Sequence, residues 1–330
     1  MNILIMGDSV GAHQIGKKNL EASGTSMTHL VQGMPYPNNH IAVTRTKGGS
    51  VAASYRTNGG MLSEELLRNG PLGVSAHHVL ALKNYLFTHS NSSDIDVVIL
   101  FIPAGWIGTE TEIVNAVNLK SLAESVRMAG SIFGAETVIL STIPVSNNIF
   151  RLEKNLIPVN RLILRVAKQY REETFDNPGE RLGRVKMVMA LDLGKYTMHL
   201  VYANALSMGL VKHERNDYAI TNVSIGVLDE ILHSHVLTTT THNGKEILRP
   251  MALQCKNLTK TNKSSDCPRN AIYVDGMHLC MKNVAGRIQA GIACLISCAY
   301  PQVPSYSLLE VSDCEQLCNE KYMSVAPLTV

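Results

Sequence analysis

The chain has 330 residues, of which 45% are apolar and 17% are charged. Its 30 lysines and arginines nearly balance its 27 aspartates and glutamates. The chain therefore lacks the large positive net charge that attracts nucleic acids or anionic membrane surfaces. This composition is typical of a globular protein, and it excludes polyanion binding as a first hypothesis.

No stretch of the sequence has the length and apolar character of a membrane span. The apolar run 97–107 is too short, and the apolar stretch after Val284 contains Arg287 and Gln289. Residues 2–6 are too few for the hydrophobic region of a signal peptide. We therefore expect either a cytoplasmic protein or a secretory-pathway protein (Golgi lumen or extracellular) whose leader precedes the first residue given.

Apolar runs alternate with amphipathic stretches up to about residue 200, which is typical of a largely parallel sheet with helices on both faces. The runs VVILFI (97–102) and TVILS (137–141) are continuous, as in strands that are buried on both faces. We predict one doubly wound α/β domain. Its predicted strands cover 2–6, 40–44, 96–102, 137–141 and 186–191, and its predicted helices cover 10–22, 76–88, 112–133 and 159–173.

The pattern becomes less regular after about residue 210. The stretch 237–270 contains TTTTHNG and KNLTKTNKSSDC, which are polar and predict a loop or insertion. Cys255 and Cys267 bracket its most polar part, where a disulfide would close a long loop. An apolar run at 272–274 and an amphipathic helix at about 282–298 follow. We predict a single domain over 1–300 with an irregular insertion at about 211–270, and a C-terminal tail over 301–330.

All seven cysteines lie in the last quarter of the chain. Zinc sites usually combine Cys-x-x-Cys pairs with histidines at matching spacing, whereas Cys294/Cys298 and Cys314/Cys318 are pairs four residues apart. We favour disulfides around a C-terminal lobe over zinc, because clustered cysteines suit oxidising compartments. The odd number leaves at least one thiol free.

The tripeptide Gly7-Asp8-Ser9 directly follows the first predicted strand, where open α/β sheets hold their chemistry. A serine becomes a nucleophile when a base takes its proton and a third group orients that base. Asp275 and His278, just before the last predicted helix, supply both. Each turn taken alone can be explained without catalysis. Gly-Asp-Ser often caps a helix, and Asp-x-x-His pairs arise by chance. Their order and positions favour catalysis.

These two turns resemble those of the SGNH/GDSL hydrolase superfamily. The nearer similarity is to its PC-esterase branch, which includes the plant trichome birefringence-like polysaccharide O-acetyltransferases and related acylesterases. Those plant proteins end in Asp-x-x-His-Trp-Cys, and here Asp275, His278 and Cys280 are kept while Leu279 replaces the Trp. The segment DVVILFIPAGWI (96–107) is also similar to that branch's strand and Gly-x-Trp turn. The resemblance does not extend to 211–270.

The resemblance implies a fold and a function. The fold is a flavodoxin-like three-layer sandwich with a mainly parallel five-stranded sheet and a Cys-containing C-terminal insertion and tail. The function is that of a serine esterase or O-acyltransferase acting on O-acyl esters of carbohydrate, most plausibly O-acetyl esters. Ser9 is then the nucleophile, His278 the base and Asp275 the group that orients it.

An oxyanion hole is also implied, with the backbone N–H groups of Ser9 and Gly49 as donors; Gly59-Gly60 is an alternative to Gly49. The superfamily's third donor, an Asn side chain after the central strand, has no counterpart here. Pro103 and Ala104 occupy that turn, and neither carries a side-chain donor. This departure favours an alternative hypothesis, a catalytically impaired glycan-binding module of the same fold.

Other residues give weaker signals. Trp106 and Arg45 are candidates for binding the glycan, although packing and solvated surface positions account for them equally well. A third hypothesis, a phosphate-binding turn at Gly7-Asp8-Ser9, gives the later Asp-x-x-His turn no role. We expect a small-molecule or glycan acyl ester as the substrate, no nucleic-acid partner, no cofactor and no metal. The pair His77-His78 has no evident third ligand.

Overall fold

A computed structural model describes the elements of the sheet and the helices packed on it. The described residues are 2–6, 40–43, 94–102, 133–145, 156–176, 184–207, 237–242, 245–250 and 286–300, with the single positions 122, 126, 127, 129–131, 154, 226, 228 and 229. The helices predicted at 10–22 and 76–88, and the apolar run at 272–274, lie outside these residues.

Parallel strands form the central sheet, in the order β2-β1-β3-β4-β5. The first strand, β1, pairs with β2 on one side and with β3 on the other, so Ile3 aligns with both Ile41 and Val97. The α/β class with a parallel sheet is therefore confirmed. The strands are β1 (Asn2–Met6), β2 (His40–Val43), β3 (Val97–Phe101), β4 (Thr137–Ser141) and β5 (Met187–Leu191).

The core of the sheet lies in β3 and β4, where every side chain is buried. In a strand with one solvent-exposed face, alternate residues would be polar; here both faces are covered, so the runs are continuously apolar. Buried helical positions at Leu122, Val126, Ala129 and Phe133 follow a spacing of three or four residues, the signature of one helix face against a core.

Three helices are described at full length. The first, α1 (Ile157–Asp176), packs against β5 and β4 and lies close to the predicted helix at 159–173. The second, α2 (Leu193–Ser207), starts two residues after β5 ends and was not predicted. The third, α3 (Gly286–Ala299), packs against β5 and coincides with the described part of the helix predicted at about 282–298. Among the described residues, no helix is long and apolar enough to cross a membrane.

A two-stranded antiparallel hairpin occupies part of the stretch predicted as a loop. It consists of β6 (Leu237–His242) and β7 (Lys245–Pro250). His242 pairs with Lys245, and the sequence between these two residues is Asn-Gly. Asn-Gly is the preferred dipeptide for such hairpins, because both of its residues tolerate positive φ. The stretch 237–270 was predicted as a loop or insertion, and the structure shows strands within its first part, which its polar threonines did not predict.

Candidate functional site

The carboxyl edge of the sheet contains a topological switch point between β1 and β3. The chain adds β2 on one side of β1 and then crosses over to add β3, β4 and β5 on the other side. In open α/β sheets, the crevice beyond the carboxyl ends of the two strands at such a point is where ligands bind. Met6, the last residue of β1, lies beside Leu100 of β3, so Gly7-Asp8-Ser9 begins where this crevice is expected.

The residues predicted for the site lie outside the described part of the chain. The structure therefore describes the strand ends that lead to them and neither brings them together nor separates them. These residues are Ser9, Arg45, Gly49, Trp106, Asp275 and His278.

The described part of the carboxyl edge is held by buried polar side chains at the ends of β4 and β5. The Thr142 hydroxyl donates to Asp192 Oδ1 at 2.8 Å and accepts from the backbone N–H of Gly194 at 2.8 Å. Asp192 Oδ1 also accepts from the N–H of Lys195 at 3.0 Å, so Asp192 is the N-cap of α2. These bonds fix the start of α2 against the end of β4.

Asn160 on α1 makes a second link to the same edge. Its Oδ1 accepts from the N–H of Ile143 at 2.8 Å, and its Nδ2 donates to the carbonyl of Ile143 at 2.9 Å. The side chain is buried. The Asn160 amide thus pairs both the N–H and the C=O of Ile143, which lies beyond the end of β4 and makes no strand hydrogen bonds there. This pairing avoids the free-energy cost of burying those two groups without partners.

Two hydroxyls complete this set. Thr197 accepts from the N–H of Val145 at 2.8 Å and donates to the carbonyl of Leu193 at 2.7 Å. Ser141 accepts from the N–H of Ile102 at 3.1 Å, which joins the ends of β3 and β4. Because these polar groups bond to one another and to the backbone, they form a rigid frame and not an open binding surface.

Sequence reasoning missed this frame. Asp192 carried a usable signal, since it stands between a buried strand and a helix, where an N-cap is expected. Thr142, Asn160 and Thr197 carried none, because each has a partner that lies 17 to 52 residues away in the sequence.

His199, half-buried on α2, is the described histidine with a perturbed pKa. Burial, which disfavours the charged imidazolium, lowers the pKa of His199, and the positive charge of Lys195 lowers it further. The negative charge of Asp192 acts in the opposite direction and only partly offsets these effects. His199 is therefore neutral at neutral pH. Within the described residues, no group of three or more histidine, cysteine or acidic side chains is arranged to hold a metal ion.

Tyr300 links the end of α3 to the sheet. Its hydroxyl donates to the carbonyl of Asp96 at 3.2 Å and accepts from the Thr137 hydroxyl at 3.3 Å, so α3 ends beside the amino ends of β3 and β4. The 14 residues of α3 extend about 21 Å, and a five-residue strand extends about 17 Å. The helix α3 also packs against β5.

The chain matches no protein-family model. It also has no significant match among curated proteins.

Proposed function

We propose that this protein is a serine esterase or O-acyltransferase of the SGNH type, acting on O-acyl esters of carbohydrate and chiefly on O-acetyl groups. Ser9 is the nucleophile, His278 the general base and Asp275 the carboxylate that orients it. The single observation that carries the proposal is the position of the β1 carboxyl end at the switch point of the sheet, with Gly7-Asp8-Ser9 next along the chain.

The strand order supports the fold half of the proposal. The order 2-1-3-4-5 is that of flavodoxin-like doubly wound sheets, in which the ligand lies at the carboxyl ends of β1 and β3. The resemblance of the sequence to SGNH hydrolases implies the same sandwich, with the serine immediately after β1.

The position of the end of α3 is consistent with the second half of the triad. Tyr300, directly after α3, bonds at the amino ends of β3 and β4. If α3 runs antiparallel to the strands, as helices that cover a parallel sheet usually do, it begins near the carboxyl edge. The seven residues between His278 and Gly286 reach about 25 Å when extended, so the Asp275–His278 segment would then be within reach of the edge where β1 ends.

The neighbouring strand β2 supports the oxyanion hole. It ends at Val43, directly beside β1 and about 4.8 Å from it in the hydrogen-bonding direction. Arg45 and Gly49 follow within six residues. A backbone N–H from this connection and the N–H of Ser9 would provide two donors for the negative oxygen of a tetrahedral intermediate.

The proposed reaction has two steps. Ser9 Oγ attacks the ester carbonyl while His278 takes the proton of the Ser9 hydroxyl. The tetrahedral intermediate then collapses and expels the sugar oxygen, which receives that proton from His278. An acyl-serine remains. Water or another sugar hydroxyl then attacks the acyl-serine, His278 again serves as base, and Ser9 is restored. Hydrolysis and acyl transfer differ only in this second nucleophile.

One observation favours a second candidate, a glycan-binding module without turnover. The turn after β3 begins with Pro103-Ala104, which supplies none of the side-chain donors that SGNH enzymes place there. Trp106 and Arg45 would then contact the sugar, and Ser9 would have no chemical role.

The test compares acetate release by the full chain and by two serine variants, with acetylated oligosaccharides and p-nitrophenyl acetate as substrates. We expect Ser9→Ala to lower kcat by about 10³-fold or more. The matched control is Ser131→Ala, at an exposed helical position, which should leave the rate unchanged. Calorimetric titration of the same oligosaccharides distinguishes the second candidate, which predicts binding without acetate release.

A further inference from the structure

The helix α3 carries two cysteines, Cys294 and Cys298, and both are disulfide-bonded. They lie one helical turn apart, so their side chains emerge on the same side of the helix, with Cβ atoms about 5–6 Å apart. Cys294 is fully buried and Cys298 is half-buried. Each sulfur therefore requires a partner thiol.

The two cysteines do not suit one another as partners. A disulfide brings the Cβ atoms to about 3.5–4.5 Å, which is shorter than the separation of positions i and i+4 in a regular helix. The helix continues without interruption from Gly286 to Ala299, through both cysteines. Each cysteine must then bond to another part of the chain.

The burial of Cys294 indicates that another segment covers this side of α3. Ile288, Ile292 and Leu295 form the apolar stripe expected to face the sheet, since they recur every three or four residues and are buried. Cys294 lies roughly 130° around the helix axis from the centre of that stripe. A helix that contacts only the sheet would leave this position exposed, yet Cys294 is 0% exposed.

The segment after α3 has the matching pattern. Cys314 and Cys318 have the same spacing of four residues, and with Leu317 they fall on one side of a helix. Ser312 and Glu315 have the spacing of a capping box, which predicts that a helix starts here. The sequence thus predicts a second helix with two cysteines one turn apart.

We propose that α3 and this segment form a disulfide-clamped helical hairpin, in which Cys294 bonds to Cys318 and Cys298 bonds to Cys314. The connection over 300–312 is short enough to favour an antiparallel arrangement. In that arrangement the two cysteines nearest the connection, Cys298 and Cys314, lie opposite each other, and so do the two farthest from it, Cys294 and Cys318. In each bridge, two thiols lose two protons and two electrons to an oxidised dithiol–disulfide oxidoreductase, whose own disulfide becomes a dithiol.

This pairing accounts for all seven cysteines. Cys255 and Cys267 are left to bond around the polar insertion, and Cys280 is the odd thiol. The clamp requires an oxidising compartment during folding, since such bridges do not persist in reducing ones. It does not depend on the proposed esterase activity, and its failure would leave that proposal unchanged.

Peptide mapping of the full chain, expressed in an oxidising compartment and alkylated without reduction, tests the pairing. Trypsin with a Glu-specific protease gives peptide 288–310, with Cys294 and Cys298, and separate peptides 311–315 and 316–320, each with one cysteine of the second pair. We expect a single species in which both small peptides are joined to 288–310. Peptide 288–310 found free, with an internal bridge or with alkylated thiols, would overturn the proposal.

Two single variants test the order of pairing. In Cys294→Ser the newly alkylated peptide should be 316–320, and in Cys298→Ser it should be 311–315, because each substitution frees the partner thiol. The reverse assignment would refute the antiparallel hairpin. Labelling of Cys255 or Cys267 instead would show that α3 is bonded to the insertion. The matched control Cys280→Ser should leave the three-peptide species intact and abolish the labelling of one thiol.

Discussion

Gly194, in the first turn of α2, is where a single methyl group should damage the carboxyl edge of the sheet most. A Cβ atom added there would lie 2.1 Å from Asn160 Nδ2 and 2.9 Å from the carbonyl oxygen of Ile143. Asn160 is buried and bonded to both backbone groups of Ile143, so its amide has no room to move away. The substitution Gly194→Ala must therefore displace Asn160 and break its bonds.

The magnitude follows from two opposing contributions. In an open helical position, Gly→Ala stabilises by about 0.5–1 kcal/mol, because alanine loses less backbone entropy on folding. Here the clash and the loss of Asn160's bonds to Ile143 cost more, since an overpacked site and unpaired buried groups each cost about 1–3 kcal/mol. We expect a net loss of roughly 2–5 kcal/mol in the free energy of unfolding, a large share of the 5–15 kcal/mol typical of domains.

Urea unfolding followed by circular dichroism measures this loss, with Gly226→Ala as the matched control. Gly226 is also helical, and a Cβ there meets nothing within 4 Å, so its substitution should be neutral or slightly stabilising. In the Asn160→Ala background, Gly194→Ala should cost much less than it does alone, because the nearest clashing atom is gone. Equal effects of the two glycine substitutions in the wild-type chain would refute this reasoning.

Three further substitutions have defined outcomes. The lowered pKa of His199 keeps the imidazole of the folded protein neutral, while the unfolded chain gains a proton below about pH 6.5. The free energy of unfolding should therefore decrease as the pH is lowered through that range. His199→Gln should flatten the dependence of Tm on pH. Tyr300→Phe removes the hydroxyl that links α3 to the amino ends of β3 and β4 and should cost about 0.5–1.5 kcal/mol in urea unfolding. Ser141→Ala leaves the buried amide after β3 unpaired and should cost about 1–3 kcal/mol, whereas Ser131→Ala should cost clearly less, because water can replace the bonds of an exposed hydroxyl. A pH profile of His199→Gln that parallels the wild type, or equal effects of the two serine substitutions, would contradict these accounts.

The strands β3 and β4 were predictable because burial on both faces favours a continuous apolar run in each. The runs at 97–102 and 137–141 match β3 and β4 to within a residue at each end. The helix α1 was also predictable, since its apolar residues recur every three or four positions.

The helix α2 was not predictable from its pattern. Its polar residues Lys195, Thr197 and His199 fall at alternate positions, which is the spacing of a strand and not of an amphipathic helix. The helix forms there because Asp192 caps its first turn and Thr197 bonds back to the carbonyl of Leu193. These local bonds, together with the tertiary bonds from Thr142 to the start of α2 and from Val145 to Thr197, outweigh the alternating pattern.

The catalytic residues of the candidate site stay a prediction. The sequence contains a serine after β1 and an Asp-x-x-His motif before the last helix, and the strand order puts the carboxyl end of β1 at the switch point of the sheet. The sequence contained no signal for Thr142 or Asn160, which hold the neighbouring strand ends, because their partners lie far away in the sequence and only the fold brings them near.

Reaction of the full chain with a fluorophosphonate, followed by mass spectrometric mapping of the adduct, tests the proposed nucleophile most directly. This reagent reacts with a serine whose hydroxyl is activated by a neighbouring base. The account predicts one adduct on Ser9, which is lost in His278→Ala although that variant keeps its serine. An unmodified Ser9, or an adduct that forms equally fast in His278→Ala, would contradict the proposed triad.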